Sequence, residues 1–131
     1  MKFTTKQINV RYCETDQMHF VHHSNYLKYF ELARLEWLSN LNISYAEMEN
    51  LGILMPVVKV SLNYIKPLIF GDTFNVTVIL NEKPKATLEF DYEILNQNKD
   101  LVCIGNTLLA FLSPKTKSPM RCPKFLLEKF I

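Results

Sequence analysis

Only three cysteines occur, Cys13, Cys103 and Cys122. So odd and widely spaced a set builds no disulfide framework and offers no CxxC knuckle for a metal, so all three read as free thiols. Nowhere is there an uninterrupted apolar run of about 18 residues, which excludes a membrane-spanning helix and argues against membrane insertion. No apolar stretch stands behind Met1–Lys6, so no secretory leader is expected and the cytoplasm is the expected compartment. Charge of one sign is lacking as well. Fifteen basic residues against 13 acidic ones leave +2, and nothing in that balance calls for nucleic acid or an anionic membrane as a partner. No repeat, low-complexity tract or linker divides the chain, and 131 residues are too few for two full domains.

What is present is the composition of a globular chain: 48% hydrophobic and 21% charged residues. A chain of this mass buries roughly two-thirds of its unfolded surface, enough for one core, so residues 1–131 are expected to form a single domain.

Ile8, Val10 and Tyr12 alternate with polar neighbours and predict a short first strand. A polar loop, Cys13 to His23, follows, and Ser24 is placed to cap the next element with its hydroxyl. From Asn25 to Leu41 the period is helical. Tyr26, Tyr29, Phe30, Ala33 and Trp37 share one face, while Leu27, Leu32, Leu35 and Leu38 widen the stripe nearly all round. So apolar a helix is expected to be buried, with Glu31 and Arg34 free to pair at i, i+3. A shorter helix is predicted from Ser44 to Asn50, ending near Gly52. After Pro56 the period falls to two. Val58–Tyr64, Phe74–Leu80, Leu88–Ile94 and Leu101–Leu112 read as four strands joined by turns too short for crossover helices, so they must pair antiparallel. The tail from Pro114 ends in one or two helical turns. The fold class expected is α+β, one curved antiparallel sheet wrapped around a long central helix.

The chemistry concentrates in Arg11-Tyr12-Cys13-Glu14-Thr15-Asp16-Gln17-Met18-His19-Phe20-Val21-His22-His23-Ser24-Asn25-Tyr26, which carries all three histidines of the chain just ahead of the helix. A helix start presents unpaired N–H groups and partial positive charge, where an oxyanion is stabilised. A carboxylate beside it can serve as nucleophile or general base. The combination suits attack on a carbonyl without specifying which. Each residue also has an ordinary reading: Asp16 as a cap or solvated charge, His23 as a cap, Tyr12 as strand-end packing. His19, His22, His23, Glu14 and Asp16 are chemically able to ligate zinc or iron, but their spacing matches no ligand motif, so no metal is expected. Cys13 sits at an alternating strand position, which argues against a nucleophile.

This stretch, continued through Leu27-Lys28-Tyr29-Phe30-Glu31-Leu32-Ala33-Arg34, resembles the signature of hotdog-fold acyl-CoA thioesterases. It is most similar to the 4-hydroxybenzoyl-CoA thioesterase family, including its bacterial Tol-Pal-associated members. Ser61 to Asp72 is similar to that family's next strand and turn, and the likeness runs from about Val10 to Phe111. The resemblance implies that Asp16 is the catalytic carboxylate. It implies that His23 stands at the helix mouth, where the backbone N–H polarises the thioester carbonyl and the imidazole assists. Tyr12 matches the family's tyrosine four residues ahead of the carboxylate. His19 occupies a position where the family usually has glycine. Tyr12, His19 and Ser24 are therefore the expected substrate-binding residues. The expected reaction is hydrolysis of an acyl-CoA to free acid and CoA, without cofactor. The expected assembly is a dimer joined sheet edge to sheet edge, then a dimer of dimers. An acyl-carrier-protein thioester as substrate, a hydratase activity and a non-catalytic acyl-binding role remain open alternatives.

Overall fold

The computed structural model describes residues 1–130. In chain order the strands are β1 (Lys2–Thr4), β2 (Ile8–Asn9), β3 (Val57–Tyr64), β4 (Thr73–Ile79), β5 (Thr87–Asn96) and β6 (Leu101–Ala110). The helices are α1 (Asn25–Asn40), α2 (Tyr45–Asn50) and α3 (Lys124–Leu127), the last followed by a 3₁₀ turn over Glu128–Phe130. All six strands join one antiparallel sheet in the order β1-β4-β5-β6-β3, with β2 also on β4. This is the α+β hotdog arrangement expected above.

Alternation explains the sheet. Phe74, Val76, Val78 and Leu80 of the β4 segment and Leu88, Phe90, Tyr92 and Ile94 of β5 are all buried on the inner face, while their neighbours are more exposed. Register sets Val78, Tyr92, Gly105 and Leu62 side by side across β4, β5, β6 and β3. Val76, Ile94, Cys103 and Tyr64 form the next row.

Helix α1 lies on these rows. The Phe30 ring stacks on Tyr92, with centroids 4.2 Å apart and planes 12° from parallel. It fits there because its neighbour in the row is Gly105, where an added Cβ would overlap the ring, 2.6 Å from Phe30 Cζ. Fully burying such a ring is worth about 1.5–3 kcal/mol. The Tyr92 hydroxyl reaches Thr107 Oγ1 at 2.7 Å and accepts from the Arg34 guanidinium at 3.0 Å, so this buried polar group is satisfied. At the far end Trp37 stacks on Phe3 of β1 and packs against Phe90 and Phe130.

Four sequence expectations change in detail. Tyr12 is not in a strand. It lies in a 3₁₀ turn, Tyr12–Glu14, because the Glu14 carboxylate accepts from the Arg11 N–H at 2.8 Å and folds the chain back after β2. β1 has too few residues to show a period. It joins β2 across Thr5, whose N–H, hydroxyl and carbonyl bond Val76 O, Val76 N and Asn75 Nδ2 at 2.9, 3.1 and 3.0 Å. Ser24 precedes α1 but makes no side-chain cap, since its hydroxyl lies 2.8 Å from His22 Nδ1 instead. Arg34 turns to Tyr92 rather than to Glu31. Nor is α1 buried all round: the sheet covers one face, and Leu27 and Leu32 stay 41% and 51% exposed.

Replacing Gly105 by alanine tests the seating of α1. The new methyl meets a ring already clamped against Tyr92, so the variant is expected to lose about 1–3 kcal/mol in urea denaturation. Unchanged stability would contradict this packing.

Candidate active site

Two anchors place the loop ahead of α1. Glu14 is buried, and its backbone carbonyl accepts from the His22 N–H and from the Asn25 side-chain amide, both at 2.8 Å. Asn25, the first residue of α1, is itself buried, so the helix start is tied directly to the loop. The Val21 N–H donates to Leu68 O at 2.8 Å, and Phe20 bridges Ile69, which binds the loop to the turn before β4.

Between these anchors Asp16 organises a tight loop. Its N–H donates to Phe20 O at 2.8 Å, its carbonyl accepts from the His19 N–H at 3.0 Å, and Oδ1 accepts from Met18 N at 2.8 Å and Phe20 N at 3.3 Å. Among the described residues Oδ2 has no hydrogen-bond partner. His19 closes the loop with φ of 70°, the left-handed region that favours glycine. Histidine here keeps the backbone conformation that a glycine would adopt freely.

A cleft of about 280 Å³ opens on one side of Asp16. Asp16, Met18, Phe20, His23, Tyr26, Tyr64, Ile65 and Lys66 line it. The backbone at its mouth is almost fully committed. The His22 N–H goes to Glu14 O, the Ser24 N–H to His22 Nδ1 at 3.2 Å, and the Asn25 N–H to His22 O at 2.9 Å. The His23 carbonyl accepts from the Tyr64 hydroxyl at 3.0 Å. The His23 N–H has no acceptor among the described residues. A free donor and a carboxylate thus border one cleft at the start of a 16-residue helix. That arrangement can hold a carbonyl oxygen while its carbon is attacked.

The structure sets Asp16 and His23 on one cleft, which Tyr12, His19 and Ser24 do not line. Tyr12 is 74% exposed, edge-on to Phe70 at 5.7 Å. With His19 it borders a second hollow that Asp16 also lines. Ser24 lines neither. Tyr26 and Tyr64 were missed as wall residues. Tyr64 reads as an ordinary strand end, and its approach to the helix start depends on tertiary register. Burial pushes the Tyr26 hydroxyl up to about 12 and raises Tyr64 too, so both are protonated at neutral pH. Beneath them the buried Tyr29 hydroxyl is also held protonated, by burial and by the Glu14 carboxylate. Cys103 and Cys122 are buried, with thiols pushed up to about 11 by burial, and Cys13 is exposed. Among the described residues no three His, Cys, Asp or Glu side chains are placed to hold a metal ion, and no helix is long and apolar enough to cross a membrane.

Known proteins share this fold and sequence. Residues 10–130 match the thioesterase-like superfamily. Over 101 residues the chain is 38% identical to YneP of Bacillus subtilis (strain 168), covering 77% of this chain and 73% of that one. A crystal structure of the DHNA-CoA thioesterase from Staphylococcus aureus is similar with a TM-score of 0.91 and 32% identity, across 98% of this chain and 88% of that one. The acyl-CoA thioester hydrolase YbgC of Escherichia coli O157:H7 is 24% identical over 123 residues, 94% of this chain and 92% of that one. The fold and these matches define a hotdog thioesterase. The chain belongs to the thioesterase-like superfamily and is a thioester hydrolase.

His19 offers a test of the loop. His19→Gly should keep folding stability within about 1 kcal/mol, whereas His19→Val should lose about 1–3 kcal/mol, because a β-branched residue resists positive φ. Equal stabilities in thermal unfolding would show that the loop does not hold this conformation.

Proposed function

We propose that the chain hydrolyses an acyl-CoA thioester to the free acid and CoA in the cleft between Asp16 and His23. The observation that carries this reading is that His23, whose N–H has no acceptor among the described residues, lines one cleft with Asp16 just ahead of α1. The thioester oxygen accepts from that N–H, and the helix start favours the negative charge that builds on it. One such donor is worth about 10²–10³ in rate. Asp16 then supplies Oδ2 either to attack the carbonyl carbon, expelling CoA thiolate and leaving an acyl anhydride that water cleaves, or to take a proton from an attacking water, the C–S bond then breaking and the proton passing to the CoA sulfur. The hydrogen bonds on Oδ1 hold the carboxylate in place for both routes. The imidazole of His23 borders the same cleft and assists there. Phe20, Tyr26 and Ile65 give the acyl group an apolar wall. Acyl-CoA is the substrate class named for the E. coli relative and, in its DHNA form, for the S. aureus structure. His19 and Tyr12, in a second hollow that Asp16 also lines, shape access and do no chemistry.

We further propose that two copies pair through β3. Among the described residues that strand bonds only β6, so its other edge is open, and Val57, Val58 and Val60 are exposed along it. Leu27 and Leu32 of α1 are exposed as well. A long apolar edge left open is an aggregation hazard, and a second copy laid antiparallel closes it.

Two experiments check these readings. Asp16→Asn removes the base or nucleophile and keeps the shape, so turnover of acyl-CoA should fall at least about 10²-fold with the melting temperature preserved. Near-normal turnover by that variant would overturn the catalytic assignment. For assembly, Val58→Lys combined with Val60→Lys should shift the mass in light scattering toward the monomer. A mass unchanged from the parent protein would contradict pairing through β3.

A further inference from the structure

The mechanism above leaves one contact unused, the hydrogen bond from Tyr64 to the backbone at the helix mouth. We propose that Tyr64 is a positioning residue for thioester hydrolysis, its hydroxyl holding the His23 carbonyl and through it the His23 backbone, so that the N–H of the same residue stays presented to the substrate carbonyl. This inference rests on the proposed roles of Asp16 and the His23 N–H.

Tyr64 is the last residue of β3 and lies 41 positions from His23, yet its hydroxyl donates to the His23 carbonyl at 3.0 Å. Its backbone is pinned by pairing with Cys103, in the inner row that runs through Ile94 to Val76. The ring packs edge-on against Tyr26 at 5.1 Å. A side chain held at both backbone and ring delivers its hydroxyl to a defined place, as a supporting group must.

His23 needs that support. On its amino-terminal side the chain is tied by His22 N to Glu14 O and by Asn25 N to His22 O. On its carboxyl side the Ser24 N–H bonds His22 Nδ1, a local contact inside the same turn. Among the described residues only Tyr64 ties the His23–Ser24 peptide to the sheet. Without that bond this peptide can rotate about the His23 Cα, and the preceding His22–His23 peptide, which carries the His23 N–H, is held from one side alone, through Asn25 N to His22 O. Misplacing a catalytic group by about 1 Å can cost on the order of 10²-fold. Here the loop anchors limit the swing, so a smaller loss is expected. Tyr64 touches the backbone rather than the reacting atoms in this account, so its effect should appear in kcat and leave KM nearly unchanged.

The test is Tyr64→Phe in the intact protein, assayed beside Asp16→Asn on the acyl-CoA that the parent hydrolyses fastest. Phenylalanine keeps the ring against Tyr26 and removes only the donor. The expected result is a fall in kcat of about tenfold, KM within about twofold and a melting temperature close to the parent's. If Asp16→Asn is inactive while Tyr64→Phe keeps its full kcat, the positioning role is overturned and the underlying mechanism stands. If Tyr64→Phe raises KM with kcat unchanged, Tyr64 merely binds substrate and the proposal is again overturned. If activity falls only in step with lost melting temperature, the role is structural and the proposal fails. If Asp16→Asn keeps near-normal turnover, the underlying reading fails and the proposal with it.

Discussion

Phe30 lies across the backbone of Gly105 with its ring flat on Tyr92, and the placement of α1 follows from that contact. The close approach exists because Gly105 has no Cβ, and it falls at the middle of the sheet because register puts Gly105 between Tyr92 and Leu62. With its middle fixed, α1 carries Trp37 to β1 at one end and Asn25 to Glu14 at the other. The second end matters for chemistry. The helix start, the Asp16 loop and the end of β3 converge there, each held by hydrogen bonds to a different part of the chain.

Convergence leaves little unsatisfied backbone, and the exception is informative. His23 is exposed just ahead of α1, so its N–H needs no partner within the chain and is free to meet an acceptor from outside it. His23 lines one cleft with Asp16, whose carboxylate is held by Met18 N and Phe20 N, and the proposed mechanism gives that donor the thioester oxygen. The same economy appears in the core, where Arg34, Tyr92 and Thr107 form one satisfied chain of hydrogen bonds. It appears again at Thr5, where a break in the first edge is closed by three bonds from one residue.

Much of this was legible in the residues. Period-two runs marked β3 to β6, one face packing inward in β4, β5 and β6 while β3 stays largely exposed, and the aromatic face of α1 marked the core. Asp16 and His23 were found by motif, and the fold sets both on one cleft. At His19 the sequence showed only a departure from the glycine that similar enzymes carry, and the structure supplied the left-handed backbone there. What was not legible depends on distant partners. Tyr12 alternates like a strand residue, but the Glu14 carboxylate turns the chain first. Ser24 has the right chemistry for a cap, yet His22 Nδ1 is the nearer partner. Tyr64 reads as one more β residue until register brings its hydroxyl to His23. Leu27 and Leu32 fit a buried helix by composition and are left uncovered by a sheet that reaches only one face.

The central claim is that the His23 N–H polarises the thioester carbonyl. It is tested most directly by the carbonyl stretch of an acyl-CoA labelled with carbon-13 at the thioester, bound to Asp16→Asn protein and read by infrared difference spectroscopy. Polarisation lengthens the C=O bond, so the account predicts a bound band at lower frequency than that of the same acyl-CoA free in solution. A bound band at or above the solution frequency would contradict it.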